Sequence, residues 1–389
     1  MFESRISRRS VLKIGCGLLA TTSLIRSAKP AFAALRDDGA RSLSDEGDDH
    51  RGGFAGADTS SYGRAIYTTD PIIESARRPF GRAIQSGLAI REAPGIGAKL
   101  VRWLSWNEVI DIKGQTMSEE SPTAYNQIWY QTSEGYVYSA FIQPVDQLSN
   151  TPLDSVDDKG FWAEVTMPFT AARSGPAKTF YAAYTFYFGC VFRIVAIKKD
   201  KDGGYWYKCD NATGNGLWVL ATDLRPIPID EFQPISPDVP AKDKRIDVDI
   251  SKQITTAYEN DKPVFTARVA TGARFTLSDG TVKNFRTIPG EHRIFLKSAS
   301  QHMIGGTIGE SDYYDLPGIG WCSYFTASGI AFHATYWHND FGLPRSHGCV
   351  NMLPEDAKWV FRWTLPAVSY DLLESHSKKA SDGTLIKVF

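Results

Sequence analysis

Apolar and polar residues alternate along the last third of the chain in the way expected of half-buried strands. Residues 245–250 alternate with a period of two, and the mostly apolar stretch 264–270 ends at a Thr-Gly pair. Further on, Pro354 is followed by two acidic residues, a sequence typical of the first turn of a helix. The pattern predicts a mainly β domain over residues 244–389, with one main helix over residues 354–363.

The middle of the chain contains two further groups of short strand-like runs, which are separated by Gly, Pro and Ser. The first group covers residues 81–147, and its spacing indicates a small β-barrel. The second covers residues 148–230, where a β-branched run over 191–197, a Gly-Gly turn and a returning run predict a hairpin. A proline-rich run over residues 231–243 then predicts a stiff linker to the last domain.

The N-terminal part of the chain predicts export. Arg8 and Arg9 form a twin-arginine pattern, a weakly apolar run follows, and Ala-Phe-Ala at residues 31–33 suits a cleavage site. We therefore expect a removed signal peptide over residues 1–33 and a location in the periplasm or cell wall. The apolar run is about half the ~20 residues that a spanning helix needs, so we expect no stable membrane span. Residues 34–80, rich in Gly, Ser, Asp and Arg, predict a flexible linker.

Charge and composition narrow the class of partner. The chain has 43 basic and 44 acidic residues and a formal net charge of −1. Residues 1–33 hold six basic residues and one acidic residue, so their removal leaves 37 basic and 43 acidic residues and a net charge of −6. Such a surface offers no general attraction to nucleic acid. A hydrophobic fraction of 42% is ample for the cores of two or three domains.

The chemically most informative stretch is Ser-His-Gly-Cys-Val-Asn over residues 346–351, with His333 thirteen positions before its serine. A thiol beside a flexible glycine and close to imidazoles has what an acyl-transfer nucleophile needs. Backbone N–H groups can face an oxyanion, and a base can hold the thiol as thiolate. A free cysteine is otherwise commonly a small buried hydrophobe.

A zinc site is the chemical rival for such a cluster. Its ligands would be His333, His338, His347 and Cys349, but their intervals do not match compact zinc ligand sets. We therefore predict neither a metal nor another cofactor.

The stretch from His333 to Asn351 resembles the active-site signature of YkuD-type L,D-transpeptidases, a histidine and a short loop followed by Ser/Thr-His-Gly-Cys-x-Asn/Arg. Two departures are visible. The interval from His333 to Ser346 is short for the family, and Ala334 stands where many members have Gly or Ser. The resemblance covers the domain from residue 244 onwards and implies a β-sandwich catalytic domain with one main helix.

The resemblance also implies a reaction and its partners. Cys349 would attack a peptidoglycan tetrapeptide stem and form a thioester, and an amine on a neighbouring stem would resolve it into a 3→3 cross-link. The base would be His333, held in its tautomer by a backbone carbonyl near Ala334. His347 and Gly348 would shape the loop and the oxyanion hole, with the N–H groups of Gly348 and Cys349 facing one point.

Four further residues are expected at the substrate: Ser346, Asn351, Trp337 and Tyr314. Asn351 would either bind a substrate carboxylate or brace the loop. Trp337 and Tyr314 would either wall the stem peptide or serve as core aromatics. His338 has no role that the resemblance supplies.

Other outcomes and another class of function remain open. The same thioester would give an L,D-carboxypeptidase if water resolved it, or attachment of a wall protein if a protein amine did. A non-catalytic cell-wall-binding protein is the alternative of a different class.

The first group of strands carries a resemblance of its own. Ile90-Arg91 with Pro94, and the run Gly-Tyr-Val-Tyr-Ser-Ala-Phe-Ile over 135–142, resemble a bacterial SH3-like domain. We interpret the second group as a second β module, for which a further SH3-like barrel is one alternative. The resemblance implies modules that hold the enzyme on the cell wall.

The remaining cysteines carry less information. Cys190 and Cys209 flank the predicted hairpin, and a disulfide between them is one alternative in an exported protein. We expect Cys322 to be reduced and structural, because a disulfide to Cys349 would abolish its nucleophilicity.

Overall fold

The computed structural model describes residues 78–389, apart from the side chain of Ala380. The predicted signal peptide over residues 1–33, and nearly all of the predicted linker over 34–80, lie outside the described residues. Over residues 78–389 the fold is mainly β, which confirms the predicted class. No helix in this part of the chain is long and apolar enough to span a membrane.

The first β module consists of antiparallel strands in two small sheets, with the orders β4-β1-β8 and β3-β2-β7-β6-β5. A 3-10 helix at Ser139–Phe141 separates the last two strands, so the run predicted as one element over 135–142 is two strands in different sheets. An alternating pattern does not show at which residue a chain leaves one sheet for the next. The strands are β1 (Phe80–Ala83), β2 (Leu88–Arg91), β3 (Leu100–Leu104), β4 (Val109–Asp111), β5 (Gly114–Met117), β6 (Ile128–Gln131), β7 (Tyr136–Tyr138) and β8 (Ile142–Val145).

The second β module is a single antiparallel sheet with the strand order β11-β10-β14-β13-β12-β9-β15. The predicted hairpin is present, since Lys199 of one strand pairs with Tyr205 of the next. As in the first module, a 3-10 helix (Ala221–Asp223) stands immediately before the last strand. The elements are β9 (Phe161–Val165), β10 (Phe169–Arg173), β11 (Ala182–Tyr187), β12 (Val191–Lys199), β13 (Tyr205–Cys209), a one-turn helix α1 (Asn211–Gly214), β14 (Trp218–Leu220) and β15 (Leu224–Pro226).

The last domain contains two five-stranded sheets, β18-β17-β16-β27-β21 and β25-β24-β23-β22-β26, and the two-stranded β19-β20. Its helix α2 occupies Pro354–Trp363, as predicted, and packs on β23 and β24. The strands are β16 (Lys244–Asp249), β17 (Ile254–Glu259), β18 (Lys262–Arg268), β19 (Arg274–Thr276), β20 (Val282–Asn284), β21 (Gly290–Arg293), β22 (Leu296–Gly305), β23 (Tyr314–Tyr324), β24 (Ala331–Ala334), β25 (Val350–Met352), β26 (Glu374–His376) and β27 (Leu385–Val388).

The proline-rich run over 231–243 does not behave as a spacer. Phe232 is buried in the core of the last domain, where its ring contacts Trp321, Phe361 and Tyr370. This corrects the prediction of a stiff linker. Proline content signals an extended backbone, but it does not show whether the apolar residues between the prolines pack against a neighbouring sheet.

The second module shares its core with the last domain. Trp162 of β9 is fully buried in the same cluster as Phe232, and its indole Nε1 donates to the carbonyl of Tyr370 at 2.8 Å. A second cluster joins Phe192 of β12 to Ile319 of β23. The last domain is therefore built against the second module rather than tethered to it.

Candidate active site

The strands β24 and β25 bring the predicted nucleophile and base together. They pair in parallel, with Phe332 opposite Val350 and His333 opposite Asn351. Cys349 directly precedes β25 and therefore lies opposite Ala331. Side chains two residues apart point to the same face of a sheet. Cys349 and His333 are thus diagonal neighbours on one face, with Cα atoms roughly 8 Å apart by standard strand spacing.

The Cys349 thiol is half-buried and faces the backbone that leads into β24. Its Sγ donates to the carbonyl of Gly329 at 3.7 Å. Burial raises the pKa of this thiol to about 11, although a hydrogen bond from the Ala331 backbone works in the opposite direction. The resting thiol therefore carries its proton. The loss of hydration on burial works against the expected stabilisation of a thiolate by the neighbouring imidazoles.

His333 is almost fully buried, at 2% exposure, and its orientation is fixed. Its Nδ1 lies 2.9 Å from the carbonyl oxygen of Ala334. A carbonyl only accepts, so Nδ1 carries the proton and Nε2 keeps its lone pair. The predicted backbone carbonyl is therefore present. Burial lowers the pKa of His333 to about 4, so the ring is a neutral base near pH 7.

The loop before Cys349 is held by its own serine. The Ser346 Oγ donates to the carbonyl of Cys349 at 2.5 Å and accepts from the Gly348 N–H at 3.1 Å. The Gly348 N–H is thus already engaged, whereas no hydrogen bond within residues 78–389 uses the Cys349 N–H. The structure places Ser346 in the loop's internal bonding and leaves one of the two expected oxyanion donors available.

Gly348 has a conformation that requires glycine. Its φ is +115°, and a Cβ there would lie 3.2 Å from Cγ1 of Ile330. Its carbonyl accepts from the Thr287 hydroxyl at 2.8 Å, and the same hydroxyl accepts from the Gly272 N–H at 3.0 Å. Thr287 therefore links Gly272 to Gly348 and fixes the position of the catalytic loop relative to the segment that contains Gly272. The sequence pattern alone did not indicate a role for Thr287.

His347 is enclosed by aromatic rings. It stacks on Phe275 with ring centroids 4.2 Å apart and also contacts Phe285 and Tyr314. The ring bonds the backbone carbonyl of Asp312, and its Nε2 has no partner within the described residues. Burial lowers the pKa of His347. These contacts suit the predicted role of shaping the loop.

Asn351 and His338 form a buried pair that sequence reasoning did not find. Asn351 is completely buried, and its side-chain amide lies 2.9 Å from Nε2 of His338. The His338 Nδ1 accepts from the Asp340 N–H at 3.3 Å. A neutral imidazole offers one acceptor nitrogen, so Nε2 carries the proton. The Asn351 atom that lies 2.9 Å from Nε2 is Nδ2, so the amide must be rotated to bring its otherwise unpartnered oxygen to that proton.

This pairing favours one of the alternatives for Asn351. Asn351 is completely buried and its side chain is bound to His338, so it braces the loop from inside the protein. His338, which had no expected role, is its partner. Burial lowers the pKa of His338 to about 3, and its neutral state leaves the donor–acceptor arrangement intact over a wide pH range.

Trp337 and Tyr314 both lie beside the reactive pair. The indole of Trp337 is 5.8 Å from the ring of His333, and it is only partly buried. Burial raises the pKa of Tyr314, and a smaller contribution to that shift comes from Cys349, which puts the phenol near the thiol. Trp337 therefore lies beside His333, and Tyr314 lies beside His347 of the loop.

The other three cysteines of residues 78–389 are free thiols. Cys190, Cys209 and Cys322 are fully buried, and no disulfide joins the first two in the structure. Burial raises the pKa of Cys322 well above its ordinary value, as expected of a structural cysteine. Within residues 78–389, no group of three or more His, Cys, Asp or Glu side chains is arranged to hold a metal ion.

Cys349, His333 and the loop between them thus lie together in a mainly β domain. Residues 243–388 match the YkuD family model, described as an L,D-transpeptidase catalytic domain. This match identifies the last third of the chain as a YkuD-type L,D-transpeptidase catalytic domain. No curated protein matches the chain.

Several solved structures are similar over part of the chain. L,D-transpeptidase 1 of Mycobacterium tuberculosis is 22% identical over 38% of this chain and 61% of its own, with a TM-score of 0.26. A Mycobacterium smegmatis L,D-transpeptidase is 15% identical over 64% and 100%, with a TM-score of 0.29. An Enterococcus faecium L,D-transpeptidase mutant is 19% identical over 38% and 50%, with a TM-score of 0.28. The chain covers 59%, 60% and 49% of the length of three further solved L,D-transpeptidase structures.

Proposed function

We propose that this protein is an exported peptidoglycan L,D-transpeptidase that forms 3→3 cross-links through a thioester on Cys349. The observation that carries the proposal is the placement of Cys349 and His333 on one face of two adjacent parallel strands, inside a domain that matches the L,D-transpeptidase family. The neutral state of both groups at rest determines how the first step proceeds.

The first step is general-base catalysis rather than attack by a preformed thiolate. The Cys349 Sγ leaves its hydrogen bond to Gly329 and turns toward Nε2 of His333 by rotation about χ1. As sulfur bonds to the carbonyl carbon of the third stem residue, its proton passes to Nε2. The Cys349 N–H donates to the developing oxyanion. A proton transfer that accompanies attack suits a thiol with a pKa of about 11.

The second step returns the proton. The imidazolium of His333 gives it to the leaving amine of the terminal D-alanine, and the C–N bond breaks to leave the thioester. An amine of a neighbouring stem then attacks the thioester, with His333 again accepting a proton, and releases Cys349 as a thiol. Trp337 and Tyr314 flank this route and provide apolar walls for the stem peptide.

The two N-terminal β modules are SH3-like in this proposal and hold the enzyme on the cell wall. Their shared plan supports one kind of module, since a 3-10 helix precedes the last strand in each. Export by the twin-arginine route places the enzyme beside its substrate. Substitution of Arg8 and Arg9 by lysine should leave the precursor inside the cell, as followed by fractionation.

Product analysis tests the reaction. Purified protein is incubated with tetrapeptide-bearing muropeptides, and the products are identified by mass spectrometry. Cross-linked dimers support the proposal, whereas tripeptides alone would mean an L,D-carboxypeptidase. Cys349→Ala should abolish both products but retain wall binding. Unchanged wall phenotypes in that variant would favour a non-catalytic wall-binding protein.

Covalent labelling tests the nucleophile separately. Imipenem should add to one thiol of the wild type and to none in Cys349→Ala. The matched control is Cys322→Ala, which removes a buried thiol and should leave labelling unchanged. Labelling at Cys322 instead of Cys349 would contradict the assignment.

A further inference from the structure

The loop that carries His338 is held by the first β module. The Asn339 N–H donates to the carbonyl of Ala140 at 2.8 Å, and its side-chain Nδ2 donates to the Tyr130 hydroxyl at 2.8 Å. The Nδ2 of Asn126 donates to Oδ1 of Asp340 at 3.1 Å. The Asn339 Nδ2 also donates to the carbonyl of Ser139 at 3.3 Å, so four hydrogen bonds join two consecutive loop residues to the module.

A buried arginine holds the start of the same loop. Arg82 of β1 is 1% exposed, and its Nη2 donates to the carbonyl of Tyr336 at 2.7 Å. The guanidinium also bonds Gln143 and lies over the ring of Tyr187, 4.2 Å from its centroid. Tyr187 in turn stacks on Tyr336 at 5.4 Å. Arg82 thus joins both N-terminal modules to the loop at one point.

The loop connects these contacts with the first module to strands β24 and β25. Asp340, held by Asn126, donates its N–H to His338, and His338 bonds Asn351. Asn351 is the register partner of His333, and its N–H and carbonyl are both paired with Ala270. A continuous series of buried hydrogen bonds therefore runs from the first module to the strand pair that presents Cys349 and His333.

We propose that the first β module is a working part of the catalytic centre, because it fixes loop 336–340 and so positions the His338–Asn351 pair and Trp337 beside His333. The expected changes in acylation rate rest on the proposed function. The expected changes in the hydrogen exchange of the loop rest only on the contacts described above. Asn126, Asp340 and His338 are positioning residues, since their described bonds are to protein groups. Wall binding by the module is a separate property.

An isosteric variant isolates the contact between module and loop. Asn126→Asp keeps the oxygen that accepts from the Ile128 N–H and the Ser139 hydroxyl, but it removes the donor to Asp340. We expect imipenem acylation of the full-length chain to slow at least tenfold and the melting temperature to fall, because a second buried carboxylate then faces that of Asp340. The matched control is Glu134→Gln in the same module, whose carboxylate bonds exposed Arg102.

A reciprocal exchange provides the rescue. In the double variant Asn126→Asp with Asp340→Asn, donor and acceptor trade places. The new amide retains an oxygen for Arg345, which now bonds Asp340. Acylation should return to within about threefold of the wild type. The proposal would be overturned if the two substitutions lowered the acylation rate independently, so that the double variant were slower than either single variant. It would also be overturned if Asn126→Asp acylated as fast as Glu134→Gln.

Hydrogen exchange gives a measurement that needs no activity. In Asn126→Asp the amides of residues 336–342 should exchange faster than in the wild type, and the double variant should regain their protection. Unchanged exchange in this segment would overturn the proposal. If imipenem fails to acylate wild-type Cys349, the proposed function fails, and exchange in the single and double variants still decides whether the module fixes the loop.

Discussion

At the residue scale, burial decides the protonation of the reactive pair. Burial raises the pKa of Cys349 to about 11 and lowers that of His333 to about 4, so both groups are neutral at physiological pH. Desolvation disfavours the charged form of an acid and of a base alike, and it acts on both here. With both groups neutral, the proposed reaction depends on proton transfer during attack.

The pH dependence of acylation should show this neutral pair. Because the His333 imidazole is unprotonated above about pH 5, the wild-type rate with imipenem should be nearly flat from about pH 5 to about pH 9. In His333→Ala only free thiolate reacts, so the lower rate should rise about tenfold per pH unit toward the thiol pKa. A wild-type inflection near the ordinary histidine pKa would contradict this account.

The conformation of Gly348 leads to a second prediction at the residue scale, which concerns the acylation rate. Gly348→Ala puts a Cβ against Ile330 at a φ of +115°, a region that other residues rarely adopt. The loop must shift, and acylation should fall at least a hundredfold, in line with the loss of about one oxyanion donor. The control is Gly97→Ala, whose Cβ would meet only Glu120 at 3.6 Å. Equal acylation rates in the two variants would refute the prediction.

At the element scale, two buried lysines from other strands bind the carbonyls at the C-terminal end of helix α2. Lys297 is fully buried, and its Nζ donates to the carbonyls of Phe361 and Thr364. The Nζ of Lys244 donates to the carbonyl of Trp363 at 2.9 Å. These donors satisfy the carbonyls that a helix leaves unpaired at its C-terminus. The helix packs on β24, so its end supports the strand that holds His333.

Burial lowers the pKa of both lysines, and this predicts how stability changes with pH. The unfolded chain binds more protons between the lowered and the ordinary lysine pKa, so the free energy of unfolding should rise as pH increases toward about 10. Lys297→Met should reduce this rise by up to about 1.4 kcal/mol per pH unit. Urea unfolding at several pH values measures it, with exposed Lys262→Met as control. An unchanged slope would contradict the prediction.

At the scale of the whole molecule, the catalytic domain and the second module fold around common cores. Trp162 and Val191 belong to the second module, yet both lie in the cluster that contains Val350 and Phe332. Asn126 and Arg82 of the first module donate hydrogen bonds to loop 336–340. The catalytic site therefore depends on packing contributed by residues far outside the family match.

Trp162→Ala tests this dependence. Removal of a fully buried tryptophan should lower the free energy of unfolding by about 3–5 kcal/mol. Because the core is shared, the second module and the catalytic domain should still unfold in one transition, and acylation should fall with stability. Val195→Ala, at an exposed position of β12, is the control. Two separate transitions in calorimetry would show that the domains fold independently.

Much of the local structure follows from the sequence alone, because its causes are local. The helix over 354–363 was predictable because proline and acids mark its start, and the returning strand Tyr205–Cys209 because a Gly-Gly turn precedes it. Cys349 and His333 were recognisable because their residue types and spacing resemble a known signature. The carbonyl that orients His333 belongs to the next residue, so it too was within reach of sequence reasoning.

Only the tertiary structure decided the features that join distant segments. The bond between His338 and Asn351, the grip of Asn126 on Asp340 and the burial of Phe232 each link residues whose separation gives no periodic signal. The protonation of Cys349 also belongs here, because the pKa of a thiol depends on how much protein surrounds it in three dimensions. The sequence by itself indicated which groups are proposed to react, whereas their burial and position follow from how the β regions pack in three dimensions.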